Sequence, residues 1–222
     1  MNVVDVVAEA AALRALEDVD DVELGARLLR GVPTNESRSD EELLRHATRA
    51  TAFGAELAGS APGGSASSAG SPSPAGPPSP EIVEHEGGLE AALLAQYDAR
   101  HHRIDLFTDS IAFCEQLVDD LGWRHLFPVG SVRAAAVEHE RAHHLVTADR
   151  SRGLRAALDH EVFRLGRFRR LAYIAGADEV AAHAFATRSL GLTRSPLLLT
   201  RAATAAIRTR NDARAASNPK EN

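Results

Sequence analysis

His139-Glu140-Arg141-Ala142-His143 matches the pattern His-Glu-x-x-His. On a helix, a spacing of four puts both imidazoles on one face, one turn apart, where they can share a metal ion with the intervening carboxylate beside it. Zinc suits that geometry, and the glutamate is then placed to take a proton from a water rather than to act as a ligand. Val132, Ala136, His139, His143 and Val146 form one stripe, which turns the histidines toward the buried side of the helix. Arg141 lies about 160° around the helix from each histidine, on the helix back, where a guanidinium can reach solvent. The competing reading of the pair is structural: two histidines satisfied by carboxylate or backbone partners in an alanine-rich core.

A catalytic zinc takes three protein ligands and leaves a fourth position for water. Two downstream carboxylates qualify, Glu161 at 18 residues past His143 and Glu179 at 36 past it. Glu179 is the better choice because it continues a stripe of Ala182, Ala186 and Leu190 on a small-residue helix that can pack closely against the first. Glu161 is followed by Arg164, Arg167, Arg169 and Arg170, which read as a solvated face. A tetrahedral oxyanion would need one more donor, and His144, His183 and Tyr173 are all candidates.

Residues Leu89 to Ala206 resemble the ImmA/IrrE family of metallopeptidases. The likeness rests on Tyr97, the segment Arg103–Phe107, a following helix, the run His139 to His144, and the segment Asp178 to Ala186, which is similar to the family's Glu-x-x-Ala-x-x-Phe-Ala motif. The resemblance implies a zincin-like core with a small β element and an active-site helix. It makes His139, His143 and Glu179 the zinc ligands and Glu140 the general base. It also implies a protein or peptide substrate, such as a transcriptional repressor. The alternative is a catalytically inactive zincin-like module that binds proteins and keeps its zinc. A ferritin-like di-iron bundle takes Glu-x-x-His from two helices, and this chain carries that pattern once, at Glu140–His143.

The elements that must hold these residues are predominantly helical, so the expected class is α+β. Helices are expected at Leu89–Tyr97, Asp109–Leu121, 131–147, 154–174, 178–190 and 196–209, with a polar tail at 211–222. Arg103–Phe107 alternates polar and apolar residues as a half-buried strand does. Residues 59–80 contain only Gly, Ser, Ala and Pro, including six of the ten prolines, and read as a disordered linker between an acidic helical segment, 1–58, and a metallopeptidase-like domain, 81–210. Within the first segment, helices are expected at Val3–Leu16 and Val22–Leu29. A third begins at the capping-box pair Ser39 and Glu42.

Composition bounds the remaining classes. At 222 residues and 44% hydrophobic the chain can bury a core, and with 5% aromatics that core is mainly Ala, Leu and Val. One cysteine, Cys114, excludes an intrachain disulfide or a multi-cysteine zinc site. No apolar run reaches the length of a membrane span and no export signal is evident, so a cytoplasmic location and no membrane partner are expected. Residues 101–222 carry a net charge of +4 against −10 for residues 1–100. That is too sparse for the dense basic patches that grip nucleic acid.

Overall fold

The computed structural model describes residues 11–61, 79–148 and 151–217. The chain is α+β and mostly helical, and its elements are α1 (Asp21–Arg30), α2 (Asp40–Ser60), β1 (Glu81–His85), α3 (Gly88–Ala91), β2 (Ala95–Asp98), β3 (Arg103–Phe107), α4 (Thr108–Leu121), α5 (Ser131–Ala148), α6 (Arg152–Leu158), β4 (Glu161–Leu165), β5 (Phe168–Leu171), α7 (Ala177–Leu190) and α8 (Pro196–Ser217). Among the described residues no helix is long and apolar enough to cross a membrane.

Local chemistry sets the N-terminal helices. Asp20 caps α1 by accepting the Val22 and Glu23 backbone N–H groups, both at 2.9 Å. The expected capping box of α2 is formed, with Ser39 Oγ accepting the Glu42 N–H and Glu42 returning to the Ser39 N–H, each at 3.2 Å. Helix α2 runs through Ser60, so residues 59 and 60 are helical instead of the start of a linker. Most of that linker, 62–78, and most of the expected helix Val3–Leu16 lie outside the described residues.

Helices α1 and α2 are built into the core that follows the linker. Leu29, Leu43, Ala47 and Ala50 pack in one buried cluster with Val146, Leu154, Leu158, Ile174 and Val180. A second cluster joins Cys114, Val118, Trp123, Phe127 and Val132 to Leu197, Leu198 and Leu199 of α8. Trp123, buried within it, donates its indole N–H to Glu17 at 2.8 Å. Helix α8 continues to Ser217, through residues expected to begin a polar tail.

The β element is a three-stranded sheet in the order β1-β3-β2, with β1 parallel and β2 antiparallel to β3. Strand β3 has the expected bounds, and it buries Ile104 and Leu106 as its alternation requires. Leu89–Tyr97 is not one helix. The Asp109 carboxylate accepts the Gly88 and Leu89 N–H groups and starts a single turn, which Ala92 ends in a left-handed conformation at φ 54°. Pairing with β3 then draws Ala95–Asp98 into a strand, tertiary contact overriding local preference.

The expected helix 154–174 is also interrupted. Helix α6 stops at Leu158, Asp159 is left-handed at φ 48°, and β4 and β5 form a hairpin across Gly166 and Arg167. Gly166 adopts φ 57° at the turn, which glycine does without steric cost.

Candidate metal centre

Two helices bring the histidine pair and Glu179 together. On α5 the i, i+4 spacing points His139 and His143 the same way, so that their Nε2 atoms lie 3.0 Å apart. Glu179 stands in the first turn of α7, where unpaired helical N–H groups favour a carboxylate. Where α7 meets α5, Ala182 and Phe185 are buried in one cluster with Ala142 of α5.

The Glu179 carboxylate bridges the pair. Its Oε2 lies 3.2 Å from His139 Nε2 and its Oε1 3.2 Å from His143 Nε2. Burial alone would raise the Glu179 pKa, but the contacts to both imidazoles outweigh it and hold the carboxyl well below the usual range. Burial likewise pulls His143 down, and the hydrogen bond and charge of Glu179, helped by Glu140 and Asp178, reverse the sign and leave it raised.

These separations fit a metal ion. Ligands about 2.0–2.1 Å from a tetrahedral zinc stand about 3.3 Å from one another, close to the spacing of the two nitrogens and the carboxylate oxygens. Further donors surround the triad. His139, Glu179 and His183 offer one set of ligand atoms within 4.8 Å, and His143, Asp178 and Glu179 offer another. His183 is 7% exposed, with its ring centroid 4.4 Å from that of His139, and the Nδ1 atoms of both are buried without a hydrogen-bond partner. Burial first, and then the neighbouring His139, lower the His183 pKa and keep it neutral, the form in which imidazole binds metal.

Glu140 is aimed at the same space from the side. Its Oε2 accepts the Tyr97 backbone N–H of β2 at 2.8 Å. Strand β2 is a sheet edge, and this N–H points away from β3 toward α5. A cleft of 540 Å³ contains Glu140, His139, His143, Glu179, Asp178 and His183, with residues 92–97 of the β2 segment along one wall.

Other residues singled out by sequence fall elsewhere. Glu161 sits on β4, paired with Arg164 at 3.0 Å and Arg169 at 2.5 Å, away from the cleft. His144 turns toward Tyr97 and His102, its ring 5.0 Å from each of theirs, and does not line the cleft. Tyr173 lines a separate groove beside the hairpin, and burial first, then Asp178, raise its pKa. Arg141 pairs with Glu138 at 3.3 Å and lies outside the cleft lining. Of the three oxyanion candidates only His183 reaches the cleft. Asp178 was not singled out; its one signal in the sequence is adjacency to Glu179.

Comparison with protein-family profiles, curated proteins and solved structures returns no match to this chain.

Proposed function

We propose that the chain is a zinc-dependent metallopeptidase of the ImmA/IrrE kind, with a zincin-like core, that cleaves a specific regulatory protein. The observation that carries this reading is the convergence of His139 Nε2, His143 Nε2 and both Glu179 oxygens within 3.0–3.2 Å, from positions 36 residues apart in sequence, beside a fixed Glu140 in an open cleft. His139, His143 and Glu179 would hold the ion, and a zinc so held supplies Lewis acidity toward a carbonyl and acidifies a nearby water.

The chain's own residues supply the rest. With Oε2 held by the Tyr97 N–H, Glu140 presents Oε1 to accept the proton of an attacking water and to return it to the leaving amine. The edge of β2 along the cleft gives an extended peptide a strand to pair with, which would bring its backbone alongside Glu140. The test is Glu140→Gln, which removes the base while keeping ligands and fold. A cellular protein cut in cells expressing the parent and left intact with the variant supports the reading.

A second reading is favoured by the surplus of donors. Asp178 and His183 stand close enough to Glu179 to close the coordination shell, and closed shells belong to structural sites. The chain would then be a metal-stabilised protein-binding module. Metal retained in both forms with identical cellular protein profiles favours it.

A further inference from the structure

Five of the eight large apolar side chains exposed among the described residues lie on or beside the β4–β5 hairpin: Val162, Phe163, Leu165, Phe168 and Tyr173. Residues 162–171 also hold four arginines and no carboxylate, in a chain of net charge −6. Side chains alternate across the strands, and the register sets Leu165 opposite Phe168 and Phe163 opposite Arg170 on one face, with Arg164 opposite Arg169 on the other. Asp159 and Glu161, at the base of the hairpin, pair with Arg164 and Arg169. Arg167 in the turn and Arg170 are exposed and make no ion pair among the described residues. No third strand joins this sheet among the described residues. A bare two-stranded hairpin is marginal in water, so a surface that covers its apolar side chains would stabilise it.

We propose that the hairpin is a peripheral membrane contact, entering the headgroup layer of an anionic lipid surface tip first. Apolar exposure increases toward the turn, from 54% and 51% at Val162 and Phe163 to 70% and 62% at Leu165 and Phe168. Arginines lie on both faces and in the turn, so cations surround the apolar tip on all sides. A plane entered end-on meets all of them, whereas a peptide laid against one face would leave Arg164 and Arg169 in water. Leu165 gives a nucleobase nothing to stack on, which sets nucleic acid aside as well. Leu165 and Phe168 would reach the acyl boundary, and Arg167 and Arg170 the lipid phosphates. Such a contact needs no membrane-spanning helix, and the candidate metal centre takes no part in it.

The test uses the full chain and sucrose-loaded vesicles of phosphatidylcholine, with or without about one third phosphatidylserine, and reads bound protein by sedimentation. Binding should require phosphatidylserine and fall as salt rises from about 0.1 M to about 0.5 M, because screening shortens the reach of the arginines. Arg167→Ala and Arg170→Ala should each weaken it about fivefold, the contribution of one arginine near an anionic surface. Leu165→Ala combined with Phe168→Ala should weaken it about tenfold or more by removing the apolar area that enters the lipid. All four side chains are exposed, so these variants should keep the circular dichroism and urea midpoint of the parent. Phe168→Trp should shift to bluer emission on vesicles, while the parent, whose one tryptophan, Trp123, is buried, stays unchanged. No binding by the parent, or equal binding by the parent and the Leu165→Ala, Phe168→Ala double variant, would overturn the proposal. So would a parent that ignores the vesicles yet binds a polyglutamate peptide or a single-stranded oligonucleotide through the same four residues, which would give the hairpin a protein or nucleic-acid partner instead.

Discussion

Gly54 of α2 and Ala181 of α7 meet backbone to backbone: a Cβ at position 54 would lie 2.1 Å from the Ala181 carbonyl oxygen. A carbonyl in mid-helix cannot yield without moving α7, and α7 carries Glu179. Gly54→Ala should therefore destabilise the fold by on the order of 3 kcal/mol, read as a lower urea midpoint. An unchanged midpoint would mean the two helices are not held this closely.

The same contact bears on chain cleavage. A protease that cuts within the Gly/Ser/Pro/Ala segment 62–78 should leave two pieces that co-elute on size exclusion, because Leu43, Ala47 and Ala50 pack with Val180 and Ala181 in one core. A C-terminal piece that elutes alone and keeps its circular dichroism would show that the two halves fold independently.

His46 predicts a pH dependence. It is 1% exposed with neither ring nitrogen hydrogen-bonded, and burial first, then His160, Arg45, Arg38 and Arg49, lower its pKa from 6.5 to about 4. A base that protonates more readily when unfolded contributes full stability above the unfolded value and loses it as pH falls. The parent should weaken relative to His46→Leu between pH 6.5 and about 4, measured as the difference in urea midpoints. A constant difference across that window would contradict the assignment.

Cys114 should be inert in the native state. Burial, with the charge of Glu115 second, pushes its thiol up to about 12. Against a free thiol at pH 8, reaction with a disulfide reagent should slow on the order of 10³-fold, and recover on denaturation. Fast native labelling would show that this end of the cleft opens.

How far the sequence could be read depended on the range of the forces involved. Ser39 with Glu42, the alternation of Arg103–Phe107, and the bounds of α4, α5 and α7 were legible because capping and periodicity act within a few residues. The i, i+4 histidines were legible for the same reason, and Glu179 through the small-residue helix that carries it. Ala95–Tyr97 was misread as helix because the strand they belong to exists only through pairing with β3. Phe163 to Phe168 was misread because Gly166 and the left-handed Asp159 outweigh an otherwise helix-compatible run of Arg and Leu. The orientation of His144 toward Tyr97, and of His183 toward His139, depends on which neighbour fills each helix face, which local spacing does not encode.

Metal content across a set of single variants tests the central claim most directly. Elemental analysis of the purified chain should find about one zinc per molecule. Zinc should be lost in His139→Ala, His143→Ala and Glu179→Ala, because two remaining ligands hold the ion weakly, and kept in Glu161→Ala and Glu140→Gln, which alter no ligand. No zinc in the parent, or equal zinc in all six proteins, would return His139 and His143 to the role of core histidines bridged by a carboxylate.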